Sequence, residues 1–183
     1  IRTPPAAFFV FLLFLASLAA LLPYAGSQRI LQQGDEVMHI ATVRESARAG
    51  FWAVPRLTGL PNYYKPPLLF WSGMVAEDIF GEGLFQDRLP SFAAAFLSVL
   101  LVFLILKEFK LSSSRAFLGA FLYLFTVAIF KFSRLLMMEQ GLTLFLLFVA
   151  WLWTRYFLNL NRSPGLLLPL LAGLASGGAY LYK

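Results

Sequence analysis

Residues 5–26 read PAAFFVFLLFLASLAALLPYAG, a stretch without one charged side chain. A membrane-crossing helix needs about 20 mostly apolar residues, each adding about 1.5 Å of rise. A cleaved signal peptide is the rival reading of such a start. The apolar run is longer than a typical signal core, however, and Pro23-Tyr24-Ala25-Gly26 makes a poor cleavage site. The stretch therefore predicts an uncleaved first membrane helix.

Composition extends that reading to the whole chain. Of 183 residues, 60% are hydrophobic and 13% charged, with 20 Phe and no Cys; mean hydropathy is +0.74. A soluble domain carries about 25% charge and about 45–50% apolar residues. Disorder, collagen and a disulfide scaffold are excluded by the apolar runs, the lack of a Gly repeat and the lack of Cys. Without Cys there can be no thiolate metal site. The net charge of +6 does not point to nucleic acid, because the basic residues are scattered among apolar spans rather than clustered. In a membrane protein, excess Lys and Arg report topology.

Further apolar spans fall at 90–106, 116–130, 141–153 with its flanks, and 166–182. Residues 67–80 (PLLFWSGMVAEDIF) are short for a span and carry Glu77 and Asp78, so an interfacial amphipathic helix is expected there. With the first helix running outward, that choice places Lys107, Lys110, Arg115, Arg155 and Arg162 inside. Counting 67–80 as a span would reverse this, against the positive-inside rule. The predicted fold class is all-α and polytopic, with five membrane helices. Residues 1–26 form the first, 27–89 an outer-face loop with two juxtamembrane helices, and 90–183 the other four. Asn161-Arg162-Ser163 matches a glycosylation sequon but falls inside and precedes Pro164, so it is discounted. The chain opens without Met and closes directly after an apolar segment, and it is expected to be part of something longer.

Polar residues tethered at the outer face are the functional candidates, because they are costly near lipid. Gly34-Asp35-Glu36-Val37-Met38-His39 opens a short helix with Gly50 as its stop. Val37, Ile40, Val43 and Ala47 form an apolar stripe, while Asp35, His39, Thr42 and Ser46 share another face. The plain structural reading makes Asp35 a cap and His39 a headgroup-level polar residue. Asp35 and His39 at i,i+4 could also hold a divalent metal, though they supply only two ligands. Downstream, Pro55, Pro61, Pro66 and Pro67 impose an extended connector that delivers Arg56 and Lys65 to the surface beside Tyr63 and Tyr64. These residues suit a lipid phosphate or, equally, simple interface anchoring. Lys131, Arg134 and Glu139 form a third cluster, with Glu139 at the outer start of a helix, where a carboxylate suits the positive dipole end. Gly173 and Gly177 make a small-residue packing surface.

Gly34-Asp35-Glu36, the segment AGFWAVPRLTGLPNYYKPPLLFW (49–71) and DRLPS (87–91) together resemble the opening of the GT-C glycosyltransferases. The likeness is to bacterial members of the protein O-mannosyltransferase and lipid A aminoarabinose-transferase group. Arg134-Leu-Leu-Met-Met-Glu139 resembles the family's Arg-to-acid segment, and the stretch from Gly173 to Lys183 its Gly-Leu-Ala…Thr-Lys-Gly segment. The resemblance implies transfer of a sugar, with inversion, from a polyprenyl-phosphate carrier to a protein, lipid or glycan acceptor. It implies an integral membrane enzyme of the bacterial inner membrane with its site on the periplasmic face. By the same resemblance Asp35 is the base, Glu36 the second acid of the pair, and Glu139 a later acid lining the cavity. Lys65 would hold the carrier phosphate with Arg56 in support, and His39, Tyr64, Arg134 and Lys183 would line the substrate. Tyr64 stands where many relatives carry Glu. The alternative function is a non-catalytic GT-C-like subunit scaffolding a membrane complex, which would have no need of Asp35, Glu36, Lys65 and Glu139. A transporter fragment would want helices broken at mid-membrane, and only Gly177-Gly178 hints at one.

Overall fold

Prolines and glycines punctuate this chain, and the elements fall between them. The computed structural model describes residues 4–23, 25–27, 34–158 and 165–183. They form α1 (Ala6–Leu21), α2 (Gly34–Ala49), β1 (Arg56–Leu57), β2 (Leu60–Pro61), α3 (Leu68–Phe80), α4 (Leu84–Glu108), α5 (Ser113–Leu124), α6 (Val127–Phe132), α7 (Met138–Leu158) and α8 (Leu167–Tyr182). The fold is all-α, as expected, apart from the two-residue strands. The sequon at 161–163, including Arg162, lies outside the described residues.

α2 ends as anticipated at Gly50, whose φ of +71° only glycine adopts freely. The Gly50 N–H donates to the Ala47 carbonyl (3.3 Å) and the Phe51 N–H to the Ser46 carbonyl (2.9 Å), which is the Schellman closure. The connector is more ordered than an extended strap. Arg56–Leu57 pairs antiparallel with Leu60–Pro61 across Thr58 (φ 55°) and Gly59 (φ 79°), the two left-handed residues of a type I′ turn. Both turn amides donate to the Glu45 carboxylate, at 2.6 Å from Thr58 and 2.7 Å from Gly59. That anchor fixes Thr58 in an unfavourable conformation and ties the hairpin to α2.

Two expectations about the spans are corrected. The second expected span, α4, starts at Leu84, ahead of residue 90, and carries Pro90 inside it. Proline removes one helical hydrogen bond, but Asp87 and Arg88 on the same turns are buried and paired, so the polar start of the helix is held in place. The third expected span, 116–130, is broken. α5 stops at Leu124, where the Thr126 hydroxyl and N–H both donate to the Tyr123 carbonyl (2.9 and 3.0 Å). Its 12 residues span about 18 Å, short of the roughly 30 Å hydrocarbon layer. Among the described residues, α4 and α7 are long and apolar enough to cross a membrane, while α1 and α8 are apolar with 16 residues each.

Packing divides into two clusters. Leu13, Leu21, Ala95, Val99, Phe103, Ala116, Ala120, Leu124 and Ile129 join α1, α4, α5 and α6. Ile40, Val43, Leu69, Phe70, Met74, Leu136 and Tyr182 join α2, α3, the α6–α7 turn and α8. α3 buries Glu77 together with Leu69, Phe70 and Met74 and exposes Val75, Ile79 and Phe80, so its free face is largely apolar rather than the polar face of the expected amphipathic helix. At Gly73 a Cβ would sit 2.7 Å from Val43 Cγ2, so glycine permits the close approach of α2 and α3. On α8, Gly173 and Gly177 face open space, whereas Gly178 abuts Phe145 of α7.

Candidate functional site

α2 presents its polar face inward, not to lipid. Glu36, His39, Thr42 and Ser46 are buried together with Ile40 and Val43, while Asp35 is exposed in the first turn. This burial requires hydrogen-bond partners, and the connector and the α6–α7 turn supply them. Asn62 joins α2 to the connector. Its side-chain amide donates to Thr42 Oγ1 (2.9 Å), and its carbonyl accepts from the Tyr64 N–H (3.0 Å). Lys65 follows directly, half-buried, with Nζ 4.8 Å from the centre of the Tyr64 ring. It lines a cavity of about 270 Å3 with Val54, Asn62, Tyr63 and Pro67.

His39 lies at the centre of the arrangement. Its Nδ1 is 3.0 Å from the Leu136 carbonyl. A carbonyl only accepts, so Nδ1 carries the proton. Burial holds the imidazole below its ordinary pKa, and Lys65 adds to that; the Leu136 carbonyl, Asp35 and Glu139 oppose it. The ring is thus neutral near pH 7, which leaves Nε2 an acceptor, buried and without a hydrogen-bond partner. The His39 contact with Leu136 and the Asn62 bond to Thr42 tie α2 to the turn before α7 and to the connector. Glu139 occupies the first turn of α7 as expected, with a buried, unpartnered Oε2.

Other candidates stand elsewhere. Glu36 is fully buried, its carboxylate taking Arg88 Nε at 2.8 Å, Arg88 Nη2 at 3.0 Å and the Leu136 N–H at 2.9 Å. Arg134 donates to the carbonyls of Ala20 and, at 3.2 Å, Leu21, capping the end of α1 with its guanidinium 4.0 Å from the Phe130 ring centre. Arg56 packs on the Phe51 ring at 4.0 Å and reaches the Gly59 carbonyl at 3.5 Å, within its own hairpin. Tyr64 is 65% exposed, and Lys183 is an exposed C-cap of α8. Among the described residues no three His, Asp or Glu side chains converge as metal ligands, so the pairing of Asp35 with His39 does not complete a metal site. Arg88 lies within the DRLPS motif, but motif reading gave it no role. The signal was there, since charges at the head of an apolar helix are costly unless paired.

Residues 64–183 match the family described as dolichyl-phosphate-mannose-protein mannosyltransferase. The chain belongs to this family. Curated relatives include an undecaprenyl phosphate-alpha-4-amino-4-deoxy-L-arabinose arabinosyl transferase from Aeromonas hydrophila. It is 31% identical over 158 residues, 85% of this chain and 28% of the relative. The protein of the same name from Serratia proteamaculans is 29% identical over 170 residues, 91% of this chain and 30% of the relative. That from Yersinia enterocolitica is 30% identical over 130 residues, 71% of this chain and 23% of the relative. The chain thus spans less than a third of the length of these relatives. No solved structure matches. The resemblance drawn from the motifs is borne out at the level of the family, and the apolar helices fit a membrane protein.

Proposed function

We propose that the protein to which these residues belong transfers a sugar from a polyprenyl-phosphate carrier to an acceptor on the outer face of the bacterial inner membrane. The observation that carries this reading is that hydrogen bonds tie α2, which bears Asp35 and His39, both to the connector that bears Lys65 and to the turn before Glu139. Lys107, Lys110 and Arg115 stand at the α4–α5 end, and Arg155 of α7 meets Glu108 of α4 at 3.3 Å. The site lies at the other end of α4 and α7 from Lys107, Lys110, Arg115 and Arg155, which supports an outer-face site under the positive-inside rule.

In this mechanism an acceptor oxygen attacks the anomeric carbon as the bond from that carbon to the phosphate oxygen breaks, which inverts the configuration. Asp35, exposed at the head of α2, takes the acceptor proton. Lys65 stabilises the negative charge on the departing polyprenyl phosphate, with Arg56 keeping the hairpin behind it in place. His39 Nε2 accepts a hydrogen bond from a sugar or acceptor hydroxyl. Glu139 lines the far side, and apolar helices accommodate the polyprenyl chain. The relatives' printed names favour an amino-sugar on undecaprenyl phosphate as the donor.

The test is transfer by the purified full-length protein from a radiolabelled undecaprenyl-phosphate sugar, with Lys65→Ala alongside. Wild type should transfer. The variant should bind donor about tenfold or more weakly, the value of a charged hydrogen bond. No transfer by folded wild type, across several sugars and acceptors, would leave the scaffold reading in its place.

A further inference from the structure

The DRLPS segment contains a residue that this mechanism does not use. Arg88 is 1% exposed, and its guanidinium joins two separate parts of the chain, α2 and the segment after α1. It forms the bidentate pair with Glu36, while Nη1 donates to the carbonyls of Ala25 at 2.6 Å and Ser27 at 3.1 Å. Through Glu36 the hub reaches the turn before α7, because Glu36 Oε1 also accepts the Leu136 N–H. One turn further along α2, His39 holds the carbonyl of the same residue. α2 thus grips both the N–H and the C=O of Leu136.

We infer that Arg88 is the positioning residue of the site. By fixing the Glu36 carboxylate on the Leu136 N–H, it sets where the acid of α7 stands relative to the acid of α2. Asp35 is adjacent to Glu36, and Glu139 lies one helical turn beyond Leu136. A shift of the Leu136 peptide therefore moves one acid against the other. Glu36, with its carboxylate committed, belongs to this positioning set and is not a proton carrier. An arginine fits the task because its planar fork holds a carboxylate at two points while a third nitrogen remains free for the carbonyls after α1. Lysine keeps the charge and loses that geometry. The inference rests on the transfer reading for its kinetic consequence but not for its geometric one.

These 183 residues contain no Cys, so once any Cys elsewhere in the full-length protein is replaced, two spin labels can be introduced at Ala41 on α2 and Lys131 on α6, both exposed. Distances are then measured in the full-length protein with Arg88→Lys, with Glu36→Gln, and with Arg48→Ala as control. Wild type and control should give one narrow distance, and the two hub variants a shifted or broadened one. In the transfer assay Arg88→Lys should lower kcat by about 30–100-fold, the scale set by an ångström of misplacement, with donor KM changed less than about threefold. The proposal fails if folded Arg88→Lys keeps the narrow distance. It fails equally if that variant raises KM alone, which would put Arg88 on the donor phosphate. Should wild type transfer nothing, the transfer reading falls while the distances still decide the hub.

Discussion

Asp87 and Arg88 are neighbours at the head of α4, equally buried, yet they enter two very different polar clusters. Arg88 enters a saturated one, whose carboxylate, guanidinium, peptide N–H and carbonyls are matched. Asp87 joins Arg44 at 2.7 Å, with Glu77 3.4 Å from the same guanidinium. There, two buried carboxylates share one partly exposed cation, and Asp87 Oδ1 and both Glu77 oxygens lack hydrogen bonds. Burial first, then Asp87 beside it, push the Glu77 carboxyl up to about 8 against the pull of Arg44. The Arg88 cluster has its groups matched by hydrogen bonds, whereas in the Asp87 cluster Glu77 holds a proton near pH 7. Buried charge therefore does two jobs within a few ångströms, and the satisfied cluster is the one that adjoins the site.

The comparison can be broken most forcefully at Arg88. Removing one partner of a buried pair strands the other, so Arg88→Ala should lower stability by about 3–5 kcal/mol, measured by denaturation in detergent. A loss as small as that of a surface substitution would mean the cluster is not the keystone described here.

A middle-sized effect is expected at Glu77. Its folded-state pKa lies above the ordinary 4.5, so the folded protein retains a proton that the unfolded chain releases. The stability from this group is full below about pH 4.5 and is lost as pH rises towards 8, with a slope approaching 1.4 kcal/mol per pH unit at most. Thermal midpoints should fall across that window, and Glu77→Gln should flatten the fall and raise the midpoint above pH 8. An unchanged slope would show both carboxylates ionised throughout.

The smallest effect belongs to the exposed pair of Arg48 and Glu82, bidentate at 2.6 and 2.5 Å. Solvent screening makes such pairs weak, so Arg48→Ala should leave the thermal midpoint within error. A measurable drop would make the α2–α3 edge a third structural cluster.

Much of this was legible in the sequence. The apolar runs, the Gly50 stop, the short helix at 67–80 and the placement of Asp35, Lys65 and Glu139 followed from local rules of burial, capping and charge cost. The break after Leu124 was not legible, because Phe125 and Thr126 look like continuing apolar helix and only the turn hydrogen bonds of Thr126 end it. Nor could spacing reveal that, of two adjacent acids, Asp35 is exposed and Glu36 buried. That division depends on Arg88, 52 positions away from Glu36, and long-range pairing leaves no local periodicity to read.

The central claim is that the outer-face acid cluster performs the chemistry with Asp35 as base. Its most direct test is single-turnover transfer by the full-length protein preloaded with radiolabelled donor, wild type beside Asp35→Asn. The variant keeps the shape and loses the base, so the rate should fall by at least about 100-fold while donor affinity stays within threefold. Transfer by Asp35→Asn at close to the wild-type rate would contradict the account and reduce Asp35 to a helix-terminal acid.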